Sequence, residues 1–277
     1  MTNSEQIISG QREPIAAFLP AVALRIFASA ESGASAMTTG TATFAPGKGL
    51  GYHTHPCSEA ITVLQGEGLF SLEGRIYRLG PLDCIHVPAG IAHNPKNGSE
   101  TEPLVVLSAF ASPEPGRTAI ADHFIRQDRT SSDPGPKDPE HISRFNKMEK
   151  YELAPGTQFS DLFAGRYGSV GICGGYGRFQ PGTSLPCHIH DYDESITIVE
   201  GSAICEVAGR RYQLSGCDTA FIPQGKPHRF LNESQSPMAM IWVYAGSEPT
   251  RAIVDVNYCL GSLPWQNLKS DMAKKNQ

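Results

Sequence analysis

Two sets of four residues in this chain have the types and spacing of metal ligands. His53, His55, Glu59 and His93 form the first set, and His188, His190, Glu194 and His228 form the second, displaced by 135 positions throughout. Successive side chains on a strand point to opposite faces, so His53 and His55 share a face, and Glu59 keeps the same parity if the strand persists or bends slightly. His93 follows Pro88-x-Gly90, a turn suited to bringing an antiparallel neighbour back beside the first strand. Three imidazoles and one carboxylate suit a divalent transition metal: Fe(II) or Mn(II) first, with Ni(II), Zn(II) or Co(II) as alternatives. One anionic ligand against a dication leaves a formal charge near +1, and four protein ligands leave one or two positions open on an octahedral ion. The absence of thiolates from the set argues against a structural zinc site. His86, His123 and His141 lie outside this pattern and read as ordinary polar residues.

The elements that position these residues are duplicated with them. Residues 44–99 align with 179–234 without a gap at 20 identities in 56 positions, so two copies of one domain are expected rather than a solenoid of short units. Arg25-Ile-Phe-Ala28 matches Asp161-Leu-Phe-Ala164 if one gap is allowed, which predicts a strand upstream of each block. Ile61–Leu64, Ile196–Val199, Leu104–Leu107 and Met240–Tyr244 have the β-branched and apolar character of strands. The expected organisation is a first domain over 1–112 with an N-terminal arm, a linker over 113–150, a second domain over 151–260 and a tail over 261–277. Five prolines between Pro113 and Pro139 mark the linker, and Ile142, Phe145 and Met148 leave room for a short helix near its end. Lys269 to Gln277 is polar and is expected to be loose.

Composition bounds the rest. Gly and Pro together make 49 of 277 residues, above the usual share of about 12%, which favours a turn-rich all-β chain over a helical bundle. A net charge of −5 offers no basic surface for nucleic acid or anionic lipid. No run of about 20 apolar residues is present to span a bilayer. The seven cysteines are scattered without a Cys-x-x-Cys pair, poor material for a disulfide framework, so a reduced, cytoplasmic setting is expected. Ile15 to Ala30 is apolar and ends in Ala-Ser-Ala. Glu5 and Glu13 precede it and Pro20 and Arg25 interrupt it, so it reads as part of the domain rather than as a signal peptide.

Gly47-x5-His53-x-His55-x3-Glu59-x6-Gly66 resembles the first cupin motif, and Pro88-x-Gly90-x2-His93-x3-Asn97 resembles most of the second. Gly182 to Gly201 and Pro223 to Asn232 repeat both. The resemblance implies a bicupin, two tandem jelly-roll β-barrels, with the eight named side chains as metal ligands. The glycine that normally opens the second motif is replaced by Leu82 and Cys217, a change at a turn. Cupins host many activities, so the fold alone does not name one. Intact ligands separate this chain from storage bicupins, and both glutamates separate it from gentisate-type enzymes. Leu50 and Leu185 stand where oxalate-acting relatives carry an arginine. The expected activity is a metal-dependent enzyme acting on a small oxygenated organic molecule, first as a non-haem iron dioxygenase. The alternatives are a non-oxidative lyase, isomerase or decarboxylase, and a small-molecule-binding bicupin without turnover. Arg178, on the strand before the second motif, and Arg229, after a ligand histidine, are candidates to receive a substrate carboxylate. Cys57 and Cys84 read as buried small apolar residues. A homodimer or higher homo-oligomer is expected from exposed barrel edges.

Overall fold

In a computed structural model, which describes residues 4–19 and 21–268, the regular structure of the chain is mostly β. Among the described residues the helical content is one α-turn, Val256–Cys259, and four 3-10 turns. The strands of the described residues form four sheets, two per copy of the repeat. In the first copy the large sheet runs His141–Ser143, Cys84–Val87, Glu59–Gln65, Leu104–Phe110, Thr38–Phe44, Val22–Ala28, Ile15–Leu19. The facing sheet centres on His53–Thr54, His93–Asn97 and Gly68–Leu72. The second copy repeats this with Glu194–Glu200, Met238–Tyr244 and Cys173–Phe179 opposite His188–Ile189, His228–Leu231 and Ser202–Val207.

Each pair of sheets closes on an apolar interior. Ile61, Val63, Phe70, Leu72 and Leu104 fill the first, and Ile196, Ile198, Cys205, Val207 and Met240 fill the second. These residues recur every second position, as one buried face of a pleated strand requires. Gly66 and Gly201 end the strands that begin at the ligand glutamates, with φ of 82° and 67°, and a Cβ there would meet the carbonyl oxygens of Pro103 and Pro237 at 2.5 Å. The repeated asparagines are clips rather than ligands. Asn97 Nδ2 donates to Phe44 O and Glu102 O, and Asn232 Nδ2 to Phe179 O and Ser236 O.

The upstream strand is present in both copies and needs no gap. Ile26 pairs with Gly40 and Asp161 with Gly175, both at the 135 offset, and a register shift follows each. The residues replacing the expected motif glycine take the left-handed conformation themselves, with φ of 66° at Leu82 and 68° at Cys217.

Residues 113–150, expected as a linker, lay three short strands on the first barrel: Thr118–Ala119, Gln127–Asp128 and His141–Ser143. The helix for which the sequence left room is a single 3-10 turn, Phe145–Lys147. The first strand of each copy crosses to the other copy's barrel. Gln6–Ile8 pairs with Thr219–Ile222 of the second, and His141–Ser143 pairs with Cys84–Val87 of the first.

One cysteine expectation is corrected. Cys187 and Cys259 form a disulfide, while Cys57, Cys84, Cys173, Cys205 and Cys217 are free. The 72-residue separation of the pair carries no sequence signal, because only folding brings the segment after Ala252–Ile253 back onto His188–Ile189, where Cys259 and Tyr258 pack with Cys187 and Ile189. No described helix is long and apolar enough to cross a membrane. The expected loose tail, Lys269 to Gln277, lies outside the described residues.

Candidate metal centres

Each tetrad assembles from three places in its barrel. His53 lies directly opposite His93, and His188 opposite His228, in antiparallel register. Glu59 and Glu194 open the neighbouring strands of the larger sheets. His55 and His190 follow one residue past the short strand and are tied down at the far nitrogen, where Nδ1 donates to Gly116 O and Thr250 O. The same device holds the other four rings. Their Nδ1 atoms donate to the carbonyls of Gly51, Ile91, Pro186 and Lys226 at 2.8–3.0 Å. Fixing the proton on Nδ1 leaves every Nε2 as a lone pair directed inward, the tautomer a metal needs.

Within each tetrad the donor atoms all lie within 4.8 Å of one another, and all eight side chains are buried. Glu59 Oε2 sits 2.9 Å from His93 Nε2 and 3.6 Å from His55 Nε2. Glu194 Oε2 sits 2.5 Å from His228 Nε2 and 3.3 Å from His190 Nε2. With the imidazole protons already given to backbone carbonyls, these are acceptors facing acceptors. Glu59 Oε2, Glu194 Oε2 and the Nε2 atoms of His93, His190 and His228 have no hydrogen-bond partner. Unpaired buried polar atoms are costly, and a shared cation relieves all of them at once. Donors about 2.1 Å from one octahedral ion lie about 3 Å apart when cis, so the observed separations fit. Burial and then the facing His93 pull the His53 pKa down to about 3, and burial drives His188 well below its usual value. Burial alone raises the carboxyl pKa of Glu59 and Glu194, but the surrounding imidazoles outweigh it and hold both carboxylates ionised. The facing carboxylates in turn raise His93 and His228 above the usual imidazole value, and a divalent transition metal, which takes neutral imidazoles and an ionised carboxylate, would replace the proton held between each pair.

Each tetrad opens into a cavity, of about 230 Å³ in the first barrel and 240 Å³ in the second. Neither arginine singled out in the sequence lines them. Arg178 pairs with Glu200 at 3.1 Å and Arg229 with Glu206 at 2.7 Å. Alternation explains both, since Phe179 and His228 point inward and their immediate neighbours must point out. The arginines that do line the cavities are Arg117 in the first and Arg251 and Arg166 in the second. Arg117 and Arg251 are counterparts, each directly following the carbonyl that holds a ligand histidine. Their signal is Glu114-Pro-Gly-Arg117 against Glu248-Pro-Thr-Arg251, at an offset of 134 and beyond the ungapped block. In the second cavity Asp161 accepts from Tyr151 Oη at 2.5 Å and from Arg166 Nη2 at 2.8 Å. Trp242 lines the same cavity, and its buried Nε1 has no acceptor. His86, His123 and His141 stay outside both tetrads.

The sequence and the fold have recognisable relatives. No curated protein sequence matches the chain. Oxalate decarboxylase from Bacillus subtilis at pH 4.6 superposes with a TM-score of 0.72 at 15% identity, over 99% of this chain and 83% of that one. A structure of the Bacillus subtilis enzyme concerned with its Mn(II) centres gives 0.73 at 15%, over 99% and 84%. One describing the substrate binding mode of oxalate decarboxylase gives 0.73 at 16% over the same shares. At such identity the likeness is one of fold. The cupin domain family matches residues 40–110 and again 175–244, each span enclosing one complete tetrad, and the chain belongs to that family as a two-domain member.

Proposed function

We propose that the chain is a metal-dependent enzyme acting on a small carboxylated molecule in the second barrel, with lyase or decarboxylase chemistry. The observation that carries this is a pair of unsatisfied donors beside the second tetrad. Arg251 forms no ion pair among the described residues, and the Trp242 indole N–H has no acceptor, while both line the cavity that holds His188 and Glu194. A guanidinium and an indole N–H converging on one cavity suit a carboxylate.

His188, His190, Glu194 and His228 would hold the ion, with Mn(II) or Fe(II) favoured and Ni(II), Zn(II) or Co(II) as alternatives. When bound, it supplies Lewis-acid polarisation of a coordinated substrate oxygen, and one-electron chemistry with dioxygen if it is redox-active. Arg251 receives the substrate carboxylate. Met240, Phe230 and Trp242 form the apolar part of the lining, and a less polar surrounding strengthens each polar contact inside. Burial and then the Asp161 carboxylate push the Tyr151 phenol pKa far up. Tyr151 Oη therefore keeps its proton, which it donates to Asp161, while Arg166 pairs with the other oxygen of that carboxylate. Leu50 and Leu185 line their cavities where oxalate-acting relatives carry arginine, so the substrate is a carboxylate gripped from the Arg251 side, not oxalate held in the manner of those relatives.

The dioxygenase reading is the second, favoured by a donor set of four protein ligands, which on a six-coordinate ion would leave room for substrate and dioxygen. One experiment separates them: turnover of short hydroxy-, keto- and dicarboxylic acids by Mn(II)- and Fe(II)-loaded chain, with and without oxygen. Carbon dioxide or cleaved product formed equally under argon is expected, with Arg251→Gln raising KM about 10- to 100-fold, as loss of a charge-assisted contact of about 1.5–3 kcal/mol predicts. Strict oxygen dependence selects the dioxygenase. Absence of turnover with both sites loaded leaves a binding protein.

A further inference from the structure

The two cavities have nearly the same volume and matching ligands, but their walls differ at positions the strand registers make equivalent. Ile26, opposite Gly40, is replaced by Asp161, opposite Gly175. Ser108, opposite Ile61, is replaced by Trp242, opposite Ile196, and Phe110, opposite Glu59, by Tyr244, opposite Glu194. Glu31 stands at the position of Arg166. Outside its tetrad the first cavity therefore has a single charged group in its lining, Arg117, above an interior of Leu24, Ile26, Ala42, Phe44, Val106 and Phe110. Arg117 forms no ion pair among the described residues and lines the same cavity as His53, His55 and Glu59.

We infer that the first barrel is a separate site for a monocarboxylate with an apolar, ring-sized body, a ligand class the second barrel does not share. This rests on the reading above that the tetrads hold a metal and the repeated arginines receive an anion. Three features converge on it. An apolar cavity of about 150 Å³ already accommodates a benzene ring, and this one is larger. A dication held by one carboxylate, with one free guanidinium at the mouth, is matched by a single carboxylate. The body of the ligand meets a mostly apolar lining whose hydroxyls are those of Ser108 and Thr38, the latter already donating to Ser112 O, whereas in the second cavity the same body would press on the Asp161 carboxylate.

Benzoate is the probe, and Co(II), whose visible d–d bands report its surroundings, is the ion. In His188→Ala/His190→Ala chain, Co(II) resides in the first tetrad and benzoate shifts its bands. In the full Co(II)-loaded chain, calorimetry gives about one benzoate per chain. Arg117→Gln weakens binding at least 10-fold, Ile26→Asp does likewise, and Arg251→Gln leaves it unchanged. Equal weakening by Arg251→Gln and Arg117→Gln, or wild-type binding in Arg117→Gln, overturns the inference. Arg117 is exposed, so that variant keeps the test valid should Ile26→Asp fail to fold. If the first tetrad takes no Co(II), the metal reading falls together with this one. If it takes Co(II) and benzoate leaves the bands unmoved, this inference alone falls.

Discussion

Single residues show how closely the two copies can be compared. His86 is 1% exposed, and neither of its ring nitrogens has a partner. The equivalent position holds Phe221, packed in the shared apolar cluster. Burial and then the facing His141 pull the His86 pKa down to about 4. The folded value is below the unfolded one, so as pH falls the unfolded chain takes the proton first. The neutral ring's contribution to stability is complete above about pH 6.5 and is lost as pH falls toward 4, a swing of roughly 3 kcal/mol. His86→Phe is therefore expected to flatten the acid limb, raising Tm at pH 5 by several degrees more than at pH 7.5. Parallel curves for the two proteins would refute this. The tetrads were legible at this scale because a period of two sets both their spacing and their facing. By the same parity Arg229, one residue past His228, points out of the barrel and pairs with Glu206. Arg117 and Arg251 were not legible from spacing, because they reach the cavities on segments whose place beside the ligand strands is decided only when the barrel closes.

Among elements, the crossing strands were the least legible. Gln6–Ile8 and His141–Ser143 are three residues each, too short for periodicity to register, and the second lies in a segment whose prolines look like a linker. Each is locked by the residue before it. Glu140 is buried and accepts from Arg75 Nε at 2.7 Å, Arg75 Nη2 at 2.9 Å and Tyr77 Oη at 2.8 Å. Glu5 is buried in the second barrel with Arg210, Tyr212 and Lys226 around it. Glu140→Gln leaves the largely buried Arg75 guanidinium only its longer ion pairs, to Glu73 at 3.6 Å and Asp138 at 3.8 Å, and is expected to cost roughly 2–3 kcal/mol, measured by urea unfolding. A loss below 0.5 kcal/mol would mean that the strand docks without its lock. The turns after the first cupin motif lend themselves to a gain. Cys217 adopts φ 68°, a conformation that strains any residue with a Cβ, so Cys217→Gly is expected to stabilise by up to about 1 kcal/mol.

At the scale of the whole molecule the two barrels share one core, although each has its own site. Phe27, Ala28 and Leu107 of the first copy pack with Leu162, Phe163, Ile241 and Val243 of the second. Polar contacts cross the same boundary. Thr39 Oγ1 meets Ser195 Oγ at 2.9 Å, and Asp193 Oδ2 accepts from Ser35 N and Ser35 Oγ. Each barrel also depends on the other copy for an edge strand, so neither half carries a complete large sheet. A duplication read from sequence suggests two domains able to fold alone, but the exchange makes them one cooperative unit. The chain is expected to unfold in a single calorimetric transition in which both metal sites are lost together. Residues 1–135 alone lack the strand that covers Cys84–Val87, and residues 136–277 alone lack the one that covers Thr219–Ile222. Each fragment is expected to show no cooperative melt by itself, and the two together to recover one. A fragment melting alone at the Tm of the intact chain would show that the exchanged strands decorate the barrels without holding them together.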